Sequence, residues 1–341
     1  MKALQITNIG APLEEIDVPL PIPGPLEVRV KVRAAGICHS DVHYRNGNSP
    51  TGALPITPGH EVAGEVDAIG DLVTTCAVGD RVCLHYLVTC GTCSYCKREQ
   101  EQFCLSGQMI GKHRDGGYAE YVCLPERSVF HLPDAIEFAP GAIMMCSTST
   151  SFHALNKARM KPGESVAVFG IGGLGFSAIQ LAFAMGASAV YAVDLRTAKL
   201  NQAEALGAIP IDAHENAVEQ ILKLTDGAGV DVALELVGLP QTMEQATKVL
   251  GIQGRAALAG ITSDNMQING YLDLIGKEAE VMGVSDHLAR EIPDLLNWAV
   301  AGKLQPETGI SNTVSLDVTA VNQVYEKLEQ FGEEIRTVIL M

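Results

Sequence analysis

A doubly wound, parallel α/β domain carried by a second, β-rich domain is the fold this sequence predicts, and three observations predict it. The chain of 341 residues exceeds the size at which one hydrophobic core stops growing, about 250–300 residues. From residue 165 onward, short apolar runs alternate with helix-period segments. Before residue 140 no helix-period stretch dominates, and glycines and prolines punctuate short strand-like runs.

The elements follow in order. Glu27-Val28-Arg29-Val30-Lys31-Val32 alternates polar and apolar residues, as a half-buried strand does. Residues 165–169 read as a strand, 176–185 as a helix, 189–193 as a strand and 197–206 as a helix ending at Gly207. Four more strands are expected at 209–212, 231–236, 255–259 and 281–284, with helices at 218–224 and 243–250. Six strands in two halves of three predict a six-stranded parallel sheet with helices on both faces, the architecture that binds dinucleotides. Helices near 292–301 and 318–330 and a strand at 336–340 are assigned back to the first domain. The expected bounds are 1–146 with 286–341 for the outer domain, and 147–285 for the inserted one.

Composition narrows the function classes. The chain is 47% hydrophobic and 19% charged, with a net charge of −16 and a pI near 4.9. Gripping DNA or RNA needs a basic footprint on the phosphates, so this balance argues against a nucleic-acid partner and serves solubility. Residues 165–193 hold no Asp, Glu, Lys or Arg, a run long enough to span a bilayer. Its glycines, four of them between Gly170 and Gly175, read instead as strand, tight turn, buried helix and second strand, so no membrane partner is expected. No apolar run follows Lys2, so a secretory signal is not expected and the compartment reads as the reducing cytoplasm. The nine cysteines are then metal ligands, catalytic groups or packing thiols rather than disulfides.

Gly170-Ile171-Gly172-Gly173-Leu174-Gly175 satisfies G-x-G-x-x-G between a strand and a helix, the context that gives the motif meaning. The first glycine makes the turn, the second admits a pyrophosphate, and the last lets helix and strand approach. The free N–H groups and positive dipole end of the helix face the phosphates. Asp194 ends the next strand, 19 residues after Gly175, where a carboxylate accepts the adenosine ribose hydroxyls and repels a 2′-phosphate. Arg196 softens that repulsion, and NAD is favoured over NADP.

Cys90, Cys93, Cys96 and Cys104 form C-x2-C-x2-C-x7-C, four thiols within fifteen residues. An iron–sulfur cluster also takes four cysteines, but the compact spacing favours a closed, tetrahedral structural zinc. Three further candidates are scattered. Cys38 lies in Gly36-Ile37-Cys38-His39-Ser40-Asp41-Val42-His43, His60 in Gly59-His60-Glu61-Val62-Ala63-Gly64, and Cys146 at the end of an apolar run. Spacing alone does not unite them. Cys76, Cys83 and Cys123 match no motif and read as packing thiols.

The segment Gly59-His60-Glu61-x2-Gly64-x5-Gly70-x2-Val73, the Cys-His-Ser-Asp run and the four-cysteine loop occur in an order that resembles the zinc-containing medium-chain alcohol dehydrogenases, over nearly the whole chain. The resemblance implies a Rossmann domain inserted into a β-rich, GroES-like catalytic domain. It implies hydride transfer between a primary or secondary alcohol and NAD, and two zincs per chain, one catalytic and one structural. Cys38, His60 and Cys146 match the catalytic zinc ligands, and Glu61 a carboxylate able to join them. Asp41 matches an acid that orients the metal-bound histidine. Ser40 and His43 match a proton relay, Thr150 a neighbour of the nicotinamide, His39 and Arg336 pyrophosphate contacts, and Lys199 a position near the adenosine ribose. Tyr86 matches a wall of the alcohol pocket, and an aromatic there implies small aliphatic or aromatic alcohols. Polyol- and threonine-type dehydrogenases share the architecture but commonly place an acid where Cys146 stands, which tilts the reading toward alcohols. Non-catalytic binding proteins on this fold lack the ligand set. The chain length resembles the microbial branch, implying a homo-oligomer, a tetramer rather than a dimer.

Overall fold

Glu27–Ile37 (β1) is the longest strand, and its eleven residues organise the first region. Buried and accessible side chains alternate along most of it, and its last four residues are buried throughout. It pairs antiparallel with Glu61–Ile69 (β2), which sets Gly36 opposite Glu61. Arg81–Leu84 (β3) extends the sheet beyond β2, Tyr121–Pro125 (β4) pairs with β1, and Val129–His131 (β5) pairs with β3. The helix His39–Asn46 (α1) leaves β1 directly: Cys38 is still extended, and Gly47 ends the helix in the left-handed region at φ 76°. Farther on, Phe138–Ile143 (α2) continues into a π-helical turn, Met144–Thr148, and then into Ser149–Lys157 (α3).

The computed structural model describes residues 1–341. It divides the chain into one unit of Met1–Ser149 with Leu288–Met341 and a second of Thr150–His287. In the second unit the strands are Ser165–Phe169 (β6), Ala189–Asp194 (β7), Ile209–Asp212 (β8), Val230–Glu235 (β9), Leu250–Leu258 (β10) and Glu280–Gly283 (β11). All pair in parallel, in the order β8-β7-β6-β9-β10-β11. That is the expected doubly wound sheet, with its order reversing between β6 and β9. Gly173–Ala184 (α4), Thr197–Ala205 (α5), Ala217–Leu224 (α6) and Pro240–Lys248 (α7) connect the strands. The uncharged run 165–193 is thus strand, turn, helix and strand, and no helix is long and apolar enough to cross a membrane. One strand departs from expectation. β10 starts at Leu250 rather than 255, because its pairing to β9 slips by a bulge around Gln253, whose φ of 57° breaks the apolar alternation.

Ile292–Val300 (α8), Ile310–Ser315 (β12), Val318–Glu329 (α9) and Arg336–Leu340 (β13) rejoin the first unit. β13 pairs antiparallel with β1, Thr337 opposite Ile37, and parallel with β12. The resulting sheet runs β12-β13-β1-β2-β3-β5, with β4 on β1. β12 was not anticipated, since only half its residues are even partly covered and its sequence is largely polar. Each unit has its own hydrophobic core: Val28, Val30, Leu84 and Leu124 sit in the first, and Ala167, Phe169, Ile211 and Leu250 in the second.

Candidate active site

Three local structures deliver four side chains to one buried point in the first unit. Cys38 caps α1, His60 immediately precedes β2 and Glu61 opens it, and Cys146 lies in the π-turn. Their ligand atoms lie within 4.8 Å of one another, and all four residues are buried. A π-turn adds a residue to the helical ring, a distortion that recurs at functional sites.

Asp41 sits behind His60. Its Oδ1 lies 3.1 Å from His60 Nδ1 and accepts Gly59 N–H at 3.2 Å, while Oδ2 accepts Cys38 N–H at 3.0 Å. With Nδ1 committed to Asp41, Nε2 is left for the cluster. Burial opposes an imidazolium here, but Asp41 and Cys38 outweigh it and hold His60 well above its usual range. The Cys38 thiol is held well below its range by Cys146, against burial, and further by Arg336 and His60. Cys146 is pushed well up by Cys38 and by burial.

Glu61 completes the cluster. Burial pushes its carboxyl up to about 7 against the pull of Arg336. Arg336 Nη2 lies 3.1 Å from Glu61 Oε1, and Nη1 donates to Ile37 O at 3.0 Å. Only 5% of Arg336 is exposed, so its guanidinium faces the cluster from the last strand. Neither Glu61 oxygen has a hydrogen-bond partner, so the pair meets as charges off hydrogen-bond geometry. A Cβ at Gly36 would lie 1.9 Å from Glu61 Oε2; glycine on β1 is what makes room for this carboxylate. Two thiols, one oriented imidazole and a buried carboxylate without hydrogen bonds form a donor set that fits zinc.

The neighbouring residues are placed as follows. Ser40 Oγ lies 3.7 Å from Cys38 Sγ. His43 Nδ1 lies 3.4 Å from Asn48 Nδ2, and burial holds its imidazole below the usual range against the pull of Cys38. The His39 ring lies 4.9 Å from that of His43 and stacks on Phe331 at 5.3 Å. Tyr86 stands edge-on to His60, ring centres 5.3 Å apart. Tyr118, which sequence reasoning did not single out, reaches Asp41 from residues far along the chain; its signal was the glycine-rich segment 111–118.

The four-cysteine loop is a separate cluster. Its Sγ–Sγ distances of 3.6, 3.6, 4.0 and 4.0 Å bracket the ~3.8 Å edge of a tetrahedron with Zn–S bonds of ~2.3 Å. Backbone N–H groups of Cys90 and Cys93 point at Cys104 Sγ and Cys90 Sγ, each at 3.3 Å. Such donors, with Thr92, hold the Cys90 thiol down to about 5, while burial and Cys93 push Cys96 up to about 12.

In the second unit the glycine loop joins β6 to α4. Gly170 turns with φ 90°, and Gly173 is the first residue of α4. A Cβ at Gly175 would lie 1.9 Å from Gly170 O, whereas one at Gly172 meets nothing within 4 Å. The loop is therefore packed at Gly175 and open at Gly172, as a pyrophosphate requires. Asp194 Oδ2 accepts Ile171 N–H at 2.7 Å and Oδ1 accepts Arg196 N–H at 2.9 Å, each oxygen keeping a second lone pair. Lys199 is only 9% exposed, and burial lowers it against the pull of Asp194. Thr150 is buried near the start of α3.

Known proteins resemble this chain over its whole length. Residues 24–134 match the family described as alcohol dehydrogenase GroES-like domain, and residues 173–301 match zinc-binding dehydrogenase. An alcohol dehydrogenase of Rhizobium meliloti is 35% identical, over 97% of this chain and 96% of its own. An NAD-dependent alcohol dehydrogenase of Sulfurisphaera tokodaii is 30% identical over 100% of both chains. The alcohol dehydrogenase of the archaeon Aeropyrum pernix superposes with a TM-score of 0.92 at 32% identity, covering 100% of each chain. With both halves matched and full-length relatives above the threshold of chance, the chain belongs to the zinc-containing medium-chain alcohol dehydrogenase family.

Proposed function

We propose that the protein is a zinc-dependent alcohol dehydrogenase that moves a hydride between a primary or secondary alcohol and NAD, giving an aldehyde or ketone. The observation that carries this reading is the buried convergence of Cys38, His60, Glu61 and Cys146. Cys38, His60 and Cys146 would hold the catalytic zinc, with Glu61 as an exchanging ligand, and Cys90, Cys93, Cys96 and Cys104 a structural one. When bound, the catalytic zinc supplies a Lewis acid that makes an alcohol acidic, and NAD supplies the hydride acceptor.

The chain does the rest. Asp41 keeps His60 in one orientation and one tautomer. Ser40 Oγ is the first acceptor for the proton leaving the alcohol, and His43, kept neutral by burial, passes it toward solvent. Tyr86 bounds the pocket beside His60 and fits small aliphatic or aromatic alcohols. Arg336 offsets the negative charge gathered by Glu61, Cys38 and Cys146. Gly170, Gly172, Gly173 and Gly175 seat the pyrophosphate, Asp194 accepts the ribose hydroxyls, and His39, Thr150 and Lys199 complete the cofactor contacts. We place the enzyme in the cytoplasm as a homo-oligomer, a tetramer rather than a dimer. Exposed Tyr271, Leu272 and Ile275, just ahead of the edge strand β11, support self-association.

Metal analysis of the purified protein is expected to give two zincs per chain. A panel of alcohols with NAD+ and NADP+, followed by absorbance of the reduced cofactor, is expected to show turnover with NAD+. No turnover with any alcohol would sink the reading.

A further inference from the structure

Asp41 accepts four hydrogen bonds, as many as a carboxylate's lone pairs provide for. Three donors come from the two motifs that supply Cys38 and His60: Cys38 N–H at 3.0 Å, Gly59 N–H at 3.2 Å and His60 Nδ1 at 3.1 Å. The fourth is the hydroxyl of Tyr118, 3.0 Å from Oδ2 and 77 residues away in sequence. That hydroxyl also lies 3.3 Å from Gly36 O, but the carboxylate is the nearer and the charged acceptor, so it holds the proton.

The same side chain holds the backbone that carries His60. Gly59 has φ 96°, and a Cβ there would lie 2.3 Å from Tyr118 Cδ1: the tyrosine ring occupies that space. Tyr118 N–H donates to Pro58 O at 3.0 Å, and Gly117 N–H to Gly59 O at 2.7 Å. The residue is fully buried. Tyr325 backs it edge-on, ring centres 6.4 Å apart, and Arg45 lies over the Tyr325 ring at 5.2 Å. The phenol therefore has no other rotamer to take without leaving a buried carboxylate short of a donor.

We propose that Tyr118 is a positioning residue for the catalytic metal: its hydroxyl fixes Asp41, its ring fixes Gly59, and together they set the direction of His60. It acts through Asp41 and touches neither substrate nor cofactor. The proposal rests on reading Cys38, His60 and Cys146 as zinc ligands.

Zinc release to a chromogenic chelator tests it, with the four-cysteine site as an internal reference. Tyr118→Phe keeps the ring against Gly59 and deletes only the hydroxyl. Its buried zinc is expected to leave about tenfold to hundredfold faster than in the wild type, while the four-cysteine phase is unchanged. Cobalt(II) placed in the buried site is expected to show shifted visible bands in the variant. Thr247→Val removes a buried hydroxyl of the second unit that donates to Met243 O, and both phases are expected to stay near wild type. Equal release from the wild type and Tyr118→Phe overturns the proposal, and so does equal acceleration in Thr247→Val or in both phases together. A second measurement deletes nothing: with fluorotyrosine at position 118, withdrawing the buried zinc is expected to shift the fluorine resonance, and an unmoved resonance overturns the link. Wild-type protein that binds zinc only at the four cysteines overturns the reading of the site instead.

Discussion

The two cysteine-built clusters of this chain follow opposite plans. The four-cysteine loop draws every donor from fifteen residues and leaves them at or near the surface, with sulfurs 3.6–4.0 Å apart. The Cys38 cluster draws donors from positions 38 to 146 and buries every one. It also needs outer supports: Asp41 on His60, Arg336 on Glu61 and Gly36 to leave room. The difference has a physical cause. On the proposed reading, a closed tetrahedron of thiolates orients itself around its ion, whereas a site that keeps one position for substrate has fewer ligands to hold the rest. Hydrogen bonds from the surrounding residues must supply that missing constraint.

Five substitutions press on this contrast. The largest effect is expected from His60→Ala. NADH formation should fall by at least about a thousandfold, the several kcal/mol that a Lewis acid supplies to the transition state, with NAD+ affinity unchanged by fluorescence titration. A fully active variant ends the reading of this cluster as the reactive centre. Cys93→Ser attacks the other plan. Folding stability is expected to drop by about 4 kcal/mol in chemical denaturation, while the folded fraction still turns over alcohol. Lost turnover at unchanged stability reverses the two roles.

The glycine loop sharpens the same distinction between packing and access. Gly175→Ala drives a Cβ to 1.9 Å from Gly170 O, and is expected to cost about 1–3 kcal/mol of stability along with NAD+ binding. Gly172→Ala meets nothing within 4 Å in the protein. It should change stability by no more than about 0.5 kcal/mol yet raise the KM for NAD+ about tenfold, since the methyl stands where the pyrophosphate approaches. Equal effects on stability refute the distinction. The smallest effect concerns His43. Burial lowers its pKa, so the neutral, proton-accepting form predominates at pH 7 and is lost as pH falls below the ordinary imidazole value of about 6.5. His43→Gln is expected to remove that acidic limb from the pH profile of kcat and to lower the rate about tenfold, water replacing the relay. An acidic limb that survives in the variant belongs to another group.

Much of the second unit was legible from residue order. The strands at 165–169 and 209–212 have the expected bounds, and the helices differ by a few residues at their ends. The misses share a cause. β12 and the start of β10 are partly exposed and polar or glycine-rich, so apolar periodicity does not mark them. In the first unit the four-cysteine loop is visible in its spacing, but nothing near Cys38, His60 or Cys146 announces that they meet. Family resemblance joined them, and the structure brings their ligand atoms within 4.8 Å. Tyr118 had only the glycine-rich segment before it as a signal, and nothing local joined Glu61 to Arg336.

Residue order by itself determined whatever is carried over a few positions: the alternating strands and helices, the glycine loop with Asp194, and the closed set of four thiols. These depend on backbone period and on chain distances short enough to fix geometry directly. Only the tertiary structure decided what surrounds His60. The register of β1 against β2 sets Gly36 beside Glu61, and the pairing of β13 with β1 brings Arg336 to the same point. Tyr118 arrives because Gly59 and the glycines at 116 and 117 let two backbone segments touch. Strand register and close backbone approach are set by the packing of the whole sheet, and no local window of the sequence contains them.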